Sequence, residues 1–127
     1  MLRPDFYTLT SFSSNGSSLL EATFLVQPEH AIFAGHFPGQ PIVPGVCMLQ
    51  IIKECLEQAV GHKLMLAQAA NIKFLTMLVP EAGKEISLRA EFTVSTEILV
   101  STASLHATAD TFIKLSNARY LLAEASR

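Results

Sequence analysis

At 127 residues and 13.8 kDa the chain is expected to form one domain over residues 1–127, long enough to bury about two thirds of its unfolded surface around a single core. Half of the residues are hydrophobic and 16% are charged, which excludes the composition of a disordered chain. Nine Lys and Arg against eleven Asp and Glu leave a net charge of −2 without charge runs, so the basic footprint of a nucleic-acid binder is missing.

Cys47 and Cys55 fall in a segment read below as one helix, where their spacing sets them about 12 Å apart along the axis, too far for a disulfide. No Cys/His pattern has zinc spacing, and neither a metal nor an organic cofactor is expected. Met1-Leu2-Arg3-Pro4-Asp5 does not open a secretory signal, because no uninterrupted apolar region follows. Apolar stretches also stop short of the roughly 20 residues of a membrane helix. These features predict a soluble protein of a reducing compartment, placed in the cytoplasm, with no membrane span.

In chain order, Phe6 to Phe12 and Leu19 to Val26 read as strands, the second alternating Leu20, Ala22, Phe24 and Val26 against Leu19, Glu21, Thr23 and Leu25. Asn15-Gly16 between them offers the positive φ angles of a tight hairpin turn. Pro28 to Gly45 is dense in proline and glycine and predicts a long, stiff loop of the functional kind. Pro44-Gly45 then opens a stretch without breakers to Val60, closed by Gly61, which predicts one long helix. Val46, Leu49, Ile52, Cys55, Leu56, Ala59 and Val60 wrap more than one face of it, while Gln50, Lys53, Glu54, Glu57 and Gln58 form a polar stripe.

Beyond Gly61, strands are expected at Asn71 to Val79, Glu85 to Ser95, Ile98 to Ala109 and Phe112 to Leu122, with turns at Pro80-Glu81-Ala82-Gly83 and Asp110-Thr111. About six strands and one mostly apolar helix require the sheet to curl around the helix.

The loop and first helical turn, Gly35-His36-Phe37-Pro38-Gly39-Gln40-Pro41-Ile42-Val43-Pro44-Gly45-Val46, closely resemble the signature of the β-hydroxyacyl-acyl-carrier-protein dehydratases of fatty acid synthesis. Asn71-Ile72-Lys73-Phe74-Leu75 through Val79-Pro80 resembles that family's strand after the helix. The resemblance implies an α+β hot-dog fold, an antiparallel sheet around a central helix, paired with a second subunit and holding the acyl chain in a tunnel between them. A homodimer is expected, or a heterodimer. It implies an acyl-carrier-protein or coenzyme A thioester as substrate, His36 as the catalytic histidine, and Phe37, Pro44, Gly45 and Val46 as substrate-binding positions, with the Gly45 amide on the thioester carbonyl.

Both principal roles have a physical basis. Removing a proton α to a thioester needs a base titrating near neutrality, which histidine supplies. Backbone N–H groups at the positive end of a helix stabilise the enolate oxygen.

The departure lies fourteen residues after His36, where the family carries an acid and this chain carries Gln50. An amide neither gives nor takes a proton near pH 7, though it still hydrogen-bonds a hydroxyl or water. Glu54, one turn further and about 6 Å along the axis, is a candidate substitute acid but a distant one. Plainer readings stand beside these: His36 as an ordinary loop histidine, Gln50 facing water, Glu54 and Glu57 solvated or salt-bridged, and the cysteines as small apolar side chains. His30, His62 and His106 have no companions that suggest chemistry. The expected activity is dehydration of 3-hydroxyacyl to trans-2-enoyl thioesters; the alternatives are an acyl-thioesterase and a non-catalytic acyl-binding or heterodimer subunit.

Overall fold

Pro44 and Gly61 bracket the single long helix as their chemistry demands. In the computed structural model, which describes residues 1–34, 39 and 41–123, α1 spans Gly45–Val60. Pro44 sits extended before it, and Gly61 ends it in the left-handed region at φ 78°, its N–H donating to Glu57 O at 2.8 Å. Cys47, Met48, Ile51, Ile52, Cys55 and Leu56 are buried on the helix, and both cysteines are free thiols. Val46 departs from the expected apolar wrap: it is 75% exposed, because the first turn emerges at the rim of the sheet.

The strands are β1 Tyr7–Ser14, β2 Leu19–Val26, β3 Leu64–Phe74, β4 Glu85–Val94, β5 Ile98–Ala107 and β6 Asp110–Leu122. They form one sheet in the order β1-β2-β4-β5-β6-β3, antiparallel at every pairing. One face supplies Phe24, Leu88, Ala90, Ala103, Leu105 and Leu115 to a continuous core with α1. This is the hot-dog arrangement implied by the loop motif. A 3₁₀ turn, η1 Ala31–Phe33, interrupts the expected irregular loop, with His30 Nδ1 accepting from Ile32 N at 3.0 Å.

Two turns and one strand differ from the sequence reading. Between β1 and β2, only Gly16 of the Asn-Gly pair has positive φ. Asn15 instead folds the loop with its side chain, Oδ1 accepting from Ser17 N, Ser18 N and Leu19 N at 2.8–3.1 Å. The β5–β6 turn lies at Thr108-Ala109 rather than Asp110-Thr111, since Ala107 already pairs with Asp110 and Thr108 takes φ 48°. Strand β3 begins seven residues before Asn71 and stops at Phe74. Its alanine-rich start shows little alternation because β3 ends the sheet and pairs with β6 alone, leaving most of it exposed. Leu75 to Val79 continue without strand pairing, tied by Leu75 N to Phe112 O and by Val43 N to Leu78 O, each 2.9 Å.

The curl has a local cause. In β5 the core-facing residues run Ile98, Val100, then Ala103, Leu105 and Ala107, with Ser101 and Thr102 both turned outward. In β6 Ile113 and Leu115 are followed by Ala118 and Tyr120, with Ser116 and Asn117 outward and Asn117 left-handed at φ 50°. Against β4, Ser101 is the extra residue of a bulge, since Glu91 faces Thr102 and Phe92 faces Val100. Such insertions sharpen local twist and bend the sheet over the helix.

Candidate active site

The start of α1 is chemically open. Pro44 supplies no side-chain cap, and the first turn holds no acidic residue. Cys47 N and Met48 N both donate to Pro44 O, at 3.0 and 3.2 Å. The earlier Gly45 and Val46 N–H groups have no partner within the helix, as at every helix start, and lie at the positive end of its dipole.

Beside them runs an apolar groove of about 470 Å³ lined by Ile42, Val43, Gly45, Met48 and Phe74 to Leu78. Phe74, 54% exposed, lies across Gly45, with ring atoms Cε1 and Cζ 2.7 and 2.8 Å from the point where a Cβ at position 45 would stand. Any other residue there would displace the ring. No local signal announces this contact, which joins a helix start to a strand end far along the chain.

Gln50 is half-buried, and its Nε2 donates to Glu54 Oε2 at 2.8 Å. Glu54 corrects the sequence reading: it is 1% exposed and joins no ion pair among the described residues. Oε2 also accepts from Leu2 N at 2.7 Å, and Oε1 accepts from the Tyr7 hydroxyl at 2.9 Å. Burial pushes the Glu54 pKa up, but the donors Gln50, Leu2, Tyr7 and the Arg3 backbone together hold it below the usual glutamate value. A carboxyl kept ionised in this way has no proton to give. Apart from Gln50, the donors come from the first seven residues, and nothing in the helix's own periodicity reveals them. Glu57, in contrast, takes the salt-bridged of its two readings, pairing with Lys53 at 3.9 Å, and accepts from Leu64 N at 2.9 Å.

Tyr7 itself is driven far above its normal range by burial, with Cys55 and Glu54 adding to the effect. Burial likewise takes the Cys55 thiol up to about 11. Of the residues implied by the motif, the structure brings Pro44, Gly45 and Val46 to one helix start. Gln50 stands further along the same helix, joined to Glu54. His36 and Phe37 lie outside the described residues.

A curled antiparallel sheet around one helix, whose uncapped start opens beside an apolar groove, defines a hot-dog protein. Residues 13–111 match the ApeI-like family, described as ApeI dehydratase, and the chain belongs to that family. Among curated relatives, the 3-hydroxyacyl-(acyl-carrier-protein) dehydratase FabZ of Clostridium acetobutylicum is 39% identical over 67 residues, 47% of this chain and 46% of the relative. FabZ of Syntrophomonas wolfei is 37% identical over 68 residues, 48% of this chain and 46% of the relative. The chain thus spans about half the length of the curated relatives it matches. Among solved structures, the dehydratase heterocomplex ApeI:P from Xenorhabdus doucetiae superposes with a TM-score of 0.65 at 17% identity, covering 92% of this chain and 97% of the other. A protein from Erwinia carotovora gives 0.67 at 21% identity, covering 94% and 97%. These two share the fold.

Proposed function

We propose that this chain is a 3-hydroxyacyl-thioester dehydratase acting on substrates carried by acyl carrier protein or coenzyme A. The observation that carries this reading is the uncapped helix start at Gly45 opening onto the apolar groove, in a chain of a dehydratase family. The acyl chain lies in the groove, and the thioester oxygen accepts from the Gly45 N–H. His36 removes the C2 proton, and charge develops on that oxygen. The electron pair then forms the C2–C3 double bond, the C3–O bond breaks, and the hydroxyl takes up a proton to leave as water.

Gln50 cannot supply that proton, and Glu54 is held ionised. The leaving group is left with the proton that His36 has just taken, so turnover by this chain alone is slow. Gln50 also supports a second reading, in which the chain pairs with a different subunit that contributes the acid. The fold neighbour from Xenorhabdus doucetiae is named as a dehydratase heterocomplex, ApeI:P.

Pairing of some kind is part of the proposal. Strand β3 ends the sheet, and Met65, Ile72, Phe74, Leu75, Met77 and Val46 expose apolar surface along and beside it. A second copy joined at this edge covers the groove.

The test is an assay of 3-hydroxyacyl thioesters on both carriers, following formation of the conjugated enoyl thioester. Slow formation that disappears in His36→Ala is the expected result. Absence of any enoyl product, with and without a co-expressed partner chain, would falsify the enzyme reading in favour of an acyl-binding one.

A further inference from the structure

Glu54 takes no direct part in the reaction above, yet it is the buried charged side chain of the core among the described residues. An ionised carboxylate only accepts hydrogen bonds. The Gln50 atom 2.8 Å from Glu54 Oε2 is therefore the amide nitrogen, and the orientation of that amide is fixed. Leu2 N and the Tyr7 hydroxyl hold the carboxylate itself in place from outside the helix. Gln50 Oε1 is the acceptor left over, with no hydrogen-bond partner among the described residues.

We propose that Glu54 is a positioning residue: by clamping Gln50 Nε2 it presents Gln50 Oε1 as a fixed acceptor for the 3-hydroxyl of the acyl substrate. This rests on the reading of Gln50 as facing substrate. The charge on Glu54 polarises the amide and strengthens Oε1 as an acceptor. A fixed acceptor selects a chain with a donor at C3. A 3-keto chain brings a second acceptor to the same point and is repelled, and a saturated chain leaves Oε1 unpaired. An amide free to turn over would instead offer its N–H groups to the ketone, and the discrimination would fade. Glu54 thereby sets which oxidation state at C3 the site prefers, without touching the substrate.

The experiment compares binding of 3-hydroxyacyl, 3-ketoacyl and saturated pantetheine thioesters of one chain length, the arm common to both carriers, to the full-length protein by calorimetry. Wild type is expected to favour the 3-hydroxyacyl over the 3-ketoacyl thioester by about tenfold, the scale of one hydrogen bond. Glu54→Gln should reduce that ratio to about threefold or less while leaving saturated-chain affinity unchanged, and Gln50→Ala should abolish it. Tyr7→Phe removes a different Glu54 donor and should keep the ratio despite lower stability; if it erases the ratio as Glu54→Gln does, the effect is structural and the proposal falls.

A preserved ratio in Glu54→Gln alongside a lost one in Gln50→Ala overturns the positioning role and leaves the site reading intact. A preserved ratio in Gln50→Ala removes both. Should Glu54→Gln not fold, the wild-type protein still decides. The Gln50 side-chain amide resonances, identified by their loss in Gln50→Ala, should be protected from exchange and should shift as Glu54 protonates in acid. Rapidly exchanging, pH-insensitive resonances overturn the clamp.

Discussion

The ring of Phe74 fills the space that a side chain on Gly45 would need, its Cε1 2.7 Å from that missing Cβ. The contact couples the edge strand to the first helical turn. Because Phe74 is about half exposed, its ring can swing away. Gly45→Ala should therefore fold, losing about 1 kcal/mol to displacement of the ring and recovering a similar amount in helix propensity. The coupling appears in the double-mutant cycle: in a Phe74→Ala background, Gly45→Ala should become stabilising by about 1 kcal/mol in urea unfolding. Identical effects in both backgrounds would show that the ring does not press on position 45.

Removing the Glu54 carboxylate strands the Tyr7 hydroxyl and the Leu2 N–H. Glu54→Ala should destabilise by about 3 kcal/mol or more and Tyr7→Phe by about 1.5 kcal/mol, with the double variant less damaged than the sum. The pH dependence follows from the direction of the shift. The folded pKa of Glu54 lies below its unfolded value, so its contribution is fully present above the ordinary glutamate pKa of about 4.3 and is lost as pH falls through the folded pKa. Unfolding free energy measured from pH 7 down to 3 should fall more steeply in wild type than in Glu54→Gln. Equal slopes would mean that Glu54 is not held ionised.

Burial with a pKa near 11 makes Cys55 a poor nucleophile, and Cys47 is shifted upward by burial as well. Neither thiol should react with a maleimide or aromatic disulfide at pH 8 until urea reaches the unfolding transition. Fast labelling of Cys55 in the native protein would contradict its place in the core.

Gln50→Glu sets a new carboxyl within hydrogen-bond distance of the Glu54 carboxylate. Two neighbouring carboxylates do not both ionise readily, so the new group should hold its proton well above the normal glutamate range. It thereby becomes the acid that the leaving hydroxyl lacks. Dehydration of a 3-hydroxyacyl thioester should rise at least about tenfold, within the span of positioned acid catalysis. A slower Gln50→Glu enzyme would show instead that the amide orients a water or a partner's acid.

Assembly is checked at the edge strand. Ile72 is partly exposed on β3, and Ile72→Glu should convert a dimer seen by light scattering at micromolar concentration into monomers with unchanged helix content. A wild-type monomer, alone and with a partner chain, would remove the pairing part of the proposal.

How much of this was legible in the sequence depends on the range of the interactions. The helix bounds were readable because Pro44 and Gly61 act locally, and β4 because Ile86, Leu88, Ala90 and Phe92 alternate without interruption. Strand β3 was misplaced because an edge strand owes its pairing to β6 rather than to its own pattern. The true turn at Thr108-Ala109 lacks the glycine or asparagine that usually marks positive φ. At the candidate site, Gly45 and Gln50 were named from the motif alone, and of the readings of Glu54 the solvated or salt-bridged one gives way to its burial. Its donors Tyr7 and Leu2 lie 47 and 52 residues away, beyond any periodicity in the helix.

The doubled outward pairs Ser101-Thr102 and Ser116-Asn117 make the curvature of this sheet a matter of residue count. Removing Ser101 alone would leave Ile98, Val100, Ala103, Leu105 and Ala107 in unbroken alternation, with every inward side chain still inward. The strand would lose a bend rather than a face. Single-residue deletions at these two points would relax the enclosure of the helix while the core composition stays the same.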